Sequence, residues 1–294
     1  MKKTYAIVDL ETTGSSFKRG DRIIQFGCTL LQADEIIQEI NITINPGRKI
    51  PDIIEKLTGI MNKDVKEAPY FEDVCDFIYN TLEGCIFVAH NVHFDYHFLD
   101  SSLREVGMPP LSLPAMDTVE LTKILYPTLS SYRLGDLSNY FVLTHDNAHD
   151  AASDAHATAE LFLQLKKKAN NLPLVTLEKL NFLSAHCQVD NDSFFHESYE
   201  TAKEIRSPLP QQIYVKNGLA LKEKEILSEQ TAYREKEVTD FSKVAVRLME
   251  NQGLEIRAEQ LEMMQSLFSF HQAETALNLA IEAAPGIGKT LAYL

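Results

Sequence analysis

Residues 5–14 read YAIVDLETTG, an apolar run that ends in two acids, Asp9 and Glu11. The composition of the run predicts a strand, and along a strand the side chains alternate between faces. Ala6, Val8 and Leu10 then share one face, and Ile7, Asp9 and Glu11 the other. The two carboxylates stand roughly 7 Å apart at Cα, from a rise of ~3.3 Å per residue. Like charges so placed repel unless water screens them or a cation joins them.

Outward from this strand (residues 4–10), DRIIQFGCTLL (21–31) and EIIQEINITI (35–44) read as two more strands, with Gln32, Ala33 and Asp34 as a short turn. Three strands so closely spaced form an antiparallel meander. After NPGRKIP the pattern turns helical, in IPDIIEKLTGI and then in YFEDVCDFIYNTLEG. CIFVAH (85–90) is a short apolar strand, and VHFDYHFLDSSLREVG a helix ending at Gly107. PAMDTVELTKILYP gives a short strand and a helix that stops before Pro127. DAASDAHATAELFLQLKKKA is a long helix with lysines near its C-terminus, where the helix dipole favours them. This order predicts an α/β unit, a mixed sheet of about five strands with helices on both faces, closing near residue 170. Residues 171–232 are less periodic and read as a connector. Residues 233–294 turn helical again in REKEVTDFSKVAVRLMENQG and RAEQLEMMQSLFSFHQA, followed by a strand, ALNLAIE, and AAPGIGKTLAYL.

A chain of 294 residues with 45% hydrophobic content is expected to be globular, with about two domains. No apolar run approaches the ~20 residues of a membrane span. The N-terminal MKKTYAIVDLETTG is not read as a signal peptide, because Asp9 and Glu11 interrupt it and no small-residue cleavage site follows. A cytoplasmic protein is expected. Cys28, Cys75, Cys85 and Cys187 form no C-x-x-C pair and read as reduced core thiols. The net charge of −14 ordinarily disfavours nucleic acid. A site that concentrates acids around cations removes that objection, and a local basic strip can coexist with an acidic whole.

Two further acids stand in distinctive places. Asp95 falls near the start of the helix after CIFVAH, and Asp154 in the first turns of the long helix, with His149 just ahead of it. On one continuous helix, His149 and Asp154 would diverge by roughly 140° at 3.6 residues per turn. To face one site, His149 must lie on the entering loop. Each residue has an ordinary reading when taken alone: a solvated strand end, a helix-start acid on the dipole, a loop histidine. Together, four carboxylates converging from strand and helix ends require cations. Their hard oxygens suit Mg²⁺ or Mn²⁺. Two such ions roughly 4 Å apart support in-line attack on a phosphodiester, and a neutral histidine beside the water can take its proton.

IVDLETTG, AHNVHFDYHFL and HDAASDA resemble the three exonuclease motifs of the DnaQ-like DEDDh family of 3′–5′ exonucleases. The resemblance covers residues 4–165 and extends to NPGRKIPDIIEKLTGI and DTVELTKILYPTLSSYRLGDLSNYF. It implies an RNase H-like fold and release of nucleoside monophosphates from single-stranded nucleic acid, DNA in preference to RNA. It also implies that Asp9, Glu11 and Asp154 hold the main metal, that Asp95 completes the second-metal side, and that His149 is the general base. Thr12, Thr13 and Gly14 would line the 3′-terminal nucleotide, and Leu57 and Phe94 would pack on the terminal bases. Tyr in place of His149 would mark the other branch of the family.

Further along, Gly286, Gly288, Lys289 and Thr290 match the end of a phosphate-binding P-loop, with Ala283 at its first position. IRAEQLEMM resembles the adenine-reading Q-motif of superfamily 2 helicases, with Gln260 as the reader. An exonuclease followed by such a segment resembles the exonuclease-bearing relatives of the XPD helicases, in which ATP would be the ligand. The sequence ends four residues after Thr290 and holds no acidic Walker B strand, so the expectation is an incomplete helicase start without a working ATPase. A proofreading exonuclease, or a helicase piece whose N-terminal domain only binds the strand, are the competing readings.

Overall fold

The computed structural model describes residues 3–145, 147–187, 189–205, 209, 211–223, 241–251, 253, 255, 257–272 and 281. The chain divides into two compact units, residues 1–224 and 225–294.

The first unit is built on β1 (Thr4–Thr12), β2 (Ile23–Gln32), β3 (Glu35–Thr43), β4 (Ile86–Ala89) and β5 (Ala115–Asp117). These form one sheet in the order β3-β2-β1-β4-β5. The pairs β1–β2 and β2–β3 are antiparallel, while β1–β4 and β4–β5 are parallel. The mixed five-stranded sheet is the one the sequence predicts. Ala33 and Asp34 both take positive φ, 53° and 64°. That is the two-residue hairpin geometry whose twist matches the flanking strands. The central strand runs to Thr12, two residues beyond its expected end, so Asp9 and Glu11 both lie within the sheet.

The helices are α1 (Asp52–Thr58), α2 (Phe71–Leu82), α3 (Val92–Glu105), α4 (Thr118–Leu125), α5 (Leu134–Phe141) and α6 (Ala151–Asn170). Ala6, Val8 and Leu10 pack against Cys75, Ile78 and Leu82 of α2 and Phe98, Leu99 and Leu103 of α3. Tyr5 and Ile7, on the opposite face, pack against Leu121, Leu137, Leu161, Phe162 and Leu165 of α4, α5 and α6. The alternation read from YAIVDLETTG thus sorts the helices into two layers. It also leaves Asp9 and Glu11 on the α6 side. The third helix stops at Glu105, ahead of the expected Gly107, because Val106 already leaves the helix.

Residues expected to be a connector carry α7 (Leu174–Ser184), α8 (Asp192–Ile205) and a hairpin of β6 (Ile213–Lys216) and β7 (Leu219–Lys222). Phe194 and Phe195 of α8 are buried in the same core as Tyr5 and Phe162. The turn ahead of α8 covers the edge of β5. Asp190 N–H donates to Ala115 O (2.8 Å), Ala115 N–H to Asp190 Oδ2 (2.8 Å) and Asp117 N–H to Asn191 Oδ1 (3.0 Å). Capping an edge in this way removes a template for pairing with other chains.

In the second unit, α9 (Phe241–Asn251) and α10 (Ala258–Gln272) bury Ala245, Met249 and Met263. Gln260 is buried in the first turn of α10. Nearly all of the expected strand 276–282, and the P-loop residues Gly286, Gly288, Lys289 and Thr290, lie outside the described residues. No helix among the described residues is long and apolar enough to cross a membrane. All four cysteines are free; Cys28, Cys75 and Cys85 are buried, whereas Cys187 is partly exposed, contrary to its reading as a core thiol.

Candidate active site

The β1–β2 register sets the geometry. Asp9 lies opposite Gly27 and Glu11 opposite Gln25, and a bulge follows between Glu11 and Thr12. Paired residues project to the same face, so Gly27 and Gln25 stand beside the two acids under the start of α6. A Cβ on Gly27 would lie 2.1 Å from the Ala151 carbonyl oxygen. Only glycine lets the helix backbone come down onto the sheet there. Buried Gln25 then holds the helix in place. Its Oε1 accepts from Ala151 N–H (3.0 Å), and its Nε2 donates to Asp150 Oδ2 (2.8 Å) and to Asn41 Oδ1 (2.9 Å). Asp150 caps the helix through its other oxygen, which accepts from Ser153 N–H at 3.0 Å.

Asp154 sits one turn into the helix so anchored. His149 lies just before the cap with φ 66°, on the entering loop as the spacing required. One ligand atom from each of Glu11, His149 and Asp154 falls within 4.8 Å of the others. This is the only such three-residue group of metal-ligating side chains among the described residues. Asp95 approaches from the opposite helix layer, in the first turn of α3. It is buried, and its Oδ1 accepts from Leu10 N–H (3.1 Å), which ties α3 to the central strand beside Asp9.

Burial, with added repulsion from Asp154 and Asp95, pushes the Glu11 carboxyl up to about 8. Burial likewise raises Asp95 to about 8, against the opposing hydrogen bond from Leu10. Asp9 rises well above the usual carboxylate range, through burial and then through Asp95, Asp154 and Glu11. At neutral pH, acids so crowded bind protons or cations. The carboxylate oxygens are hard donors that fit a divalent ion of the Mg²⁺ or Mn²⁺ type, with the imidazole of His149 beside them.

The other expected contacts fall around this centre. Thr12 Oγ1 donates to Gly14 O (2.7 Å), and Thr13 Oγ1 accepts from Arg22 N–H (3.0 Å). Both hydroxyls shape the turn after β1. Leu57 is half exposed and lines an open cleft of about 760 Å³ with Gln25, Asn41, Asn147, Ala148 and Asp150. Phe94 is partly buried against Phe98, ring centroids 5.6 Å apart. Gln260 belongs to the second unit. Three residues that the sequence reading did not single out also build the site: Gln25, Gly27 and His145. A glycine inside an apolar strand is itself a sign of close backbone approach. Gln25 and His145 carry no comparable sign. His145 Nε2 lies 2.6 Å from Asp154 Oδ1.

Helices on both faces of a mixed five-stranded sheet, with acids gathered at the end of the central strand, give the α/β architecture expected of an RNase H-like exonuclease. The Exonuclease (RNase_T) family model matches residues 6–162, more than half of the chain, and the chain belongs to that family. Among curated proteins it is similar to the 3′–5′ exonuclease DinG of Bacillus subtilis strain 168, with 36% identity over all of this chain and 32% of that protein. The 3′–5′ exonuclease DinG of Staphylococcus aureus strain MRSA252 is 34% identical over 99% of this chain and 32% of its own length. The chain thus spans about a third of the length of these relatives. Among solved structures, Escherichia coli exonuclease I in complex with a dT13 oligonucleotide aligns with a TM-score of 0.54 and 19% identity, over 62% of this chain and 44% of that one. The nuclease domain of 3′hExo, a DEDDh family member bound to rAMP, aligns with a TM-score of 0.50 and 18% identity, over 56% of this chain and 92% of that one. Both likenesses concern the fold.

Proposed function

We propose that this chain is a metal-dependent 3′–5′ exonuclease that removes nucleoside monophosphates from single-stranded nucleic acid, DNA in preference to RNA. The observation that carries this reading is the convergence of Glu11, His149 and Asp154 within 4.8 Å, beside Asp9 and Asp95. Two Mg²⁺ or Mn²⁺ ions held there would supply charge neutralisation, water activation and stabilisation of the leaving oxygen. Asp9, Glu11 and Asp154 are the residues to hold the first ion, and Asp95 supports the second. His149 is exposed on its loop, so its ring can accept the proton of the attacking water and pass it to solvent. The water oxygen bonds to phosphorus as the bond to the 3′-oxygen of the preceding nucleotide breaks. Thr12, Thr13 and Gly14 form the turn that would receive the terminal nucleotide, and Leu57 and Phe94 offer apolar surface to its neighbours. The similarity to DinG proteins, and the DNA bound to exonuclease I, favour DNA as the substrate.

The test is digestion of 5′-labelled single-stranded DNA, and of its RNA counterpart, with Mn²⁺, Mg²⁺ or EDTA. A ladder shortening from the 3′ end, lost in EDTA and lost in Asp9→Ala, is expected. Parental digestion by the Asp9→Ala protein, or none by the parent with any metal, would refute the reading.

A further inference from the structure

We propose that His145 is a positioning residue that fixes the Asp154 carboxylate for cation binding. The inference rests on the metal-dependent reading of the site given above. His145 Nε2 stands 2.6 Å from Asp154 Oδ1, and the two side chains are only 9% and 13% exposed. With an ionised carboxylate, the ring N–H is the donor. It is the only hydrogen bond to the Asp154 side chain among the described residues. Asp9 and Glu11 project from β1 where it is paired with β2 at Gly27 and Gln25, so their backbones are held by the sheet. Asp95 and Asp154 project from helices, and their side chains need a separate restraint. Asp95 receives it from Leu10 N–H, on Oδ1. Asp154 receives it from His145, again on Oδ1. In each helix-borne acid Oδ1 is tied by a protein donor.

His145 and His149 therefore divide the work of one short loop. His149 joins the cluster with Glu11 and faces solvent, while His145 stands outside that cluster and holds Asp154. Such an outer partner orients the ligand and favours its ionised form, and its loss typically weakens metal affinity about 10–100-fold.

The experiment titrates the full chain with Mn²⁺, following free Mn²⁺ by electron paramagnetic resonance without nucleic acid, and records thermal melts alongside. His145→Ala removes the donor. His145→Met removes it while keeping bulk. His145→Gln retains an amide donor. The Ala and Met proteins are expected to bind Mn²⁺ about 10–100-fold more weakly, and Gln to recover most of that loss. In turnover assays the Mn²⁺ concentration for half-maximal rate should rise by the same factor, with a smaller change in the rate at saturating metal. Parental Mn²⁺ affinity in a folded Ala or Met protein overturns the proposal, as does a folded Gln protein no better than Met. Asp154→Asn separates the two readings. If the parent binds Mn²⁺, Asp154→Asn loses it and the His145 variants do not, this inference alone falls. A parent that binds no Mn²⁺ removes both.

Discussion

At Asp95, burial pushes the carboxyl towards its neutral form while the Leu10 N–H pulls the other way, and burial wins. At Glu11 burial and the neighbouring acids push the same way, and both groups reach about 8. The sign for stability follows. In the unfolded chain these acids release their protons near 4, whereas the folded, metal-free protein keeps them until about 8. Between those values the folded state binds more protons, so stability is full below about 4 and is lost as pH rises towards 8. Thermal melts in EDTA should therefore show a lower Tm at pH 8.5 than at pH 6. Asp95→Asn keeps an oxygen for Leu10 and deletes the charge. It should raise Tm at pH 8.5 by about 3 °C, on the order of 1 kcal/mol for a unit of this size, and flatten the pH dependence. An unchanged slope would show that repulsion at this residue is not what the cation relieves. His149 plays a different part, being exposed and holding nothing up. His149→Ala should lower kcat by about 10²–10⁴, the usual contribution of a general base, while Mn²⁺ binding changes far less. Single-turnover rates at saturating Mn²⁺ would show this.

The elements that carry the acids were legible in the sequence, because each has a local sign: period-two alternation in YAIVDLETTG, the helix start after CIFVAH, the alanine-rich long helix. Their convergence was legible through the resemblance of the three motifs, but the contacts that fix it were not. Gln25 meets Asp150 and Ala151 across more than a hundred residues, through a register that no local pattern states. The close contact of α6 with the sheet is made where β2 has Gly27. Changing Gly27 to Ala puts a methyl 2.1 Å from a backbone oxygen, which no rotamer can relieve. The helix start must lift, at a cost of about 1–3 kcal/mol or more by overpacking. Asp154 and His149 move with it, and a displacement of ~1 Å is worth about 10²-fold in rate. Gln25→Ala leaves Ala151 N–H without its buried partner and should cost about 1–3 kcal/mol. Urea unfolding measures the stability, and the oligonucleotide assay the rate. Gly27→Ala should damage rate more than stability. The reverse ranking would mean that the helix start adapts without moving the acids.

Over the whole molecule, the sheet is not finished at residue 170. The α/β pattern closes there in the sequence, yet the first compact unit extends to residue 224. The reason lies in α7, LVTLEKLNFLS, whose apolar residues do not gather on one face. Leu177 is buried while Phe182 and Leu183 are exposed, so no amphipathic period announces a packed helix. What binds this segment to the sheet is distant in sequence, part polar and part aromatic. Buried Asn191 accepts from Asp117 N–H and donates to Glu120 Oε2 at 2.6 Å, and Asp190 adds two bonds to the β5 edge. Phe194 packs against Phe162 in a tilted pair with ring centroids 5.6 Å apart, and Phe162 against Tyr5 at 5.0 Å. A fragment ending at residue 170 would expose Tyr5 and Phe162 and leave the β5 edge open to other chains. It should melt at least about 10 °C below a fragment ending at residue 224, equivalent to a few kcal/mol, and self-associate on size exclusion. The longer fragment should be monodisperse and retain any nuclease activity of the full chain, since every residue assigned to the site precedes residue 160. Equal melting of the two fragments would mean that the 171–224 segment lies on the sheet without supporting it, and that the exonuclease fold is complete at the end of α6.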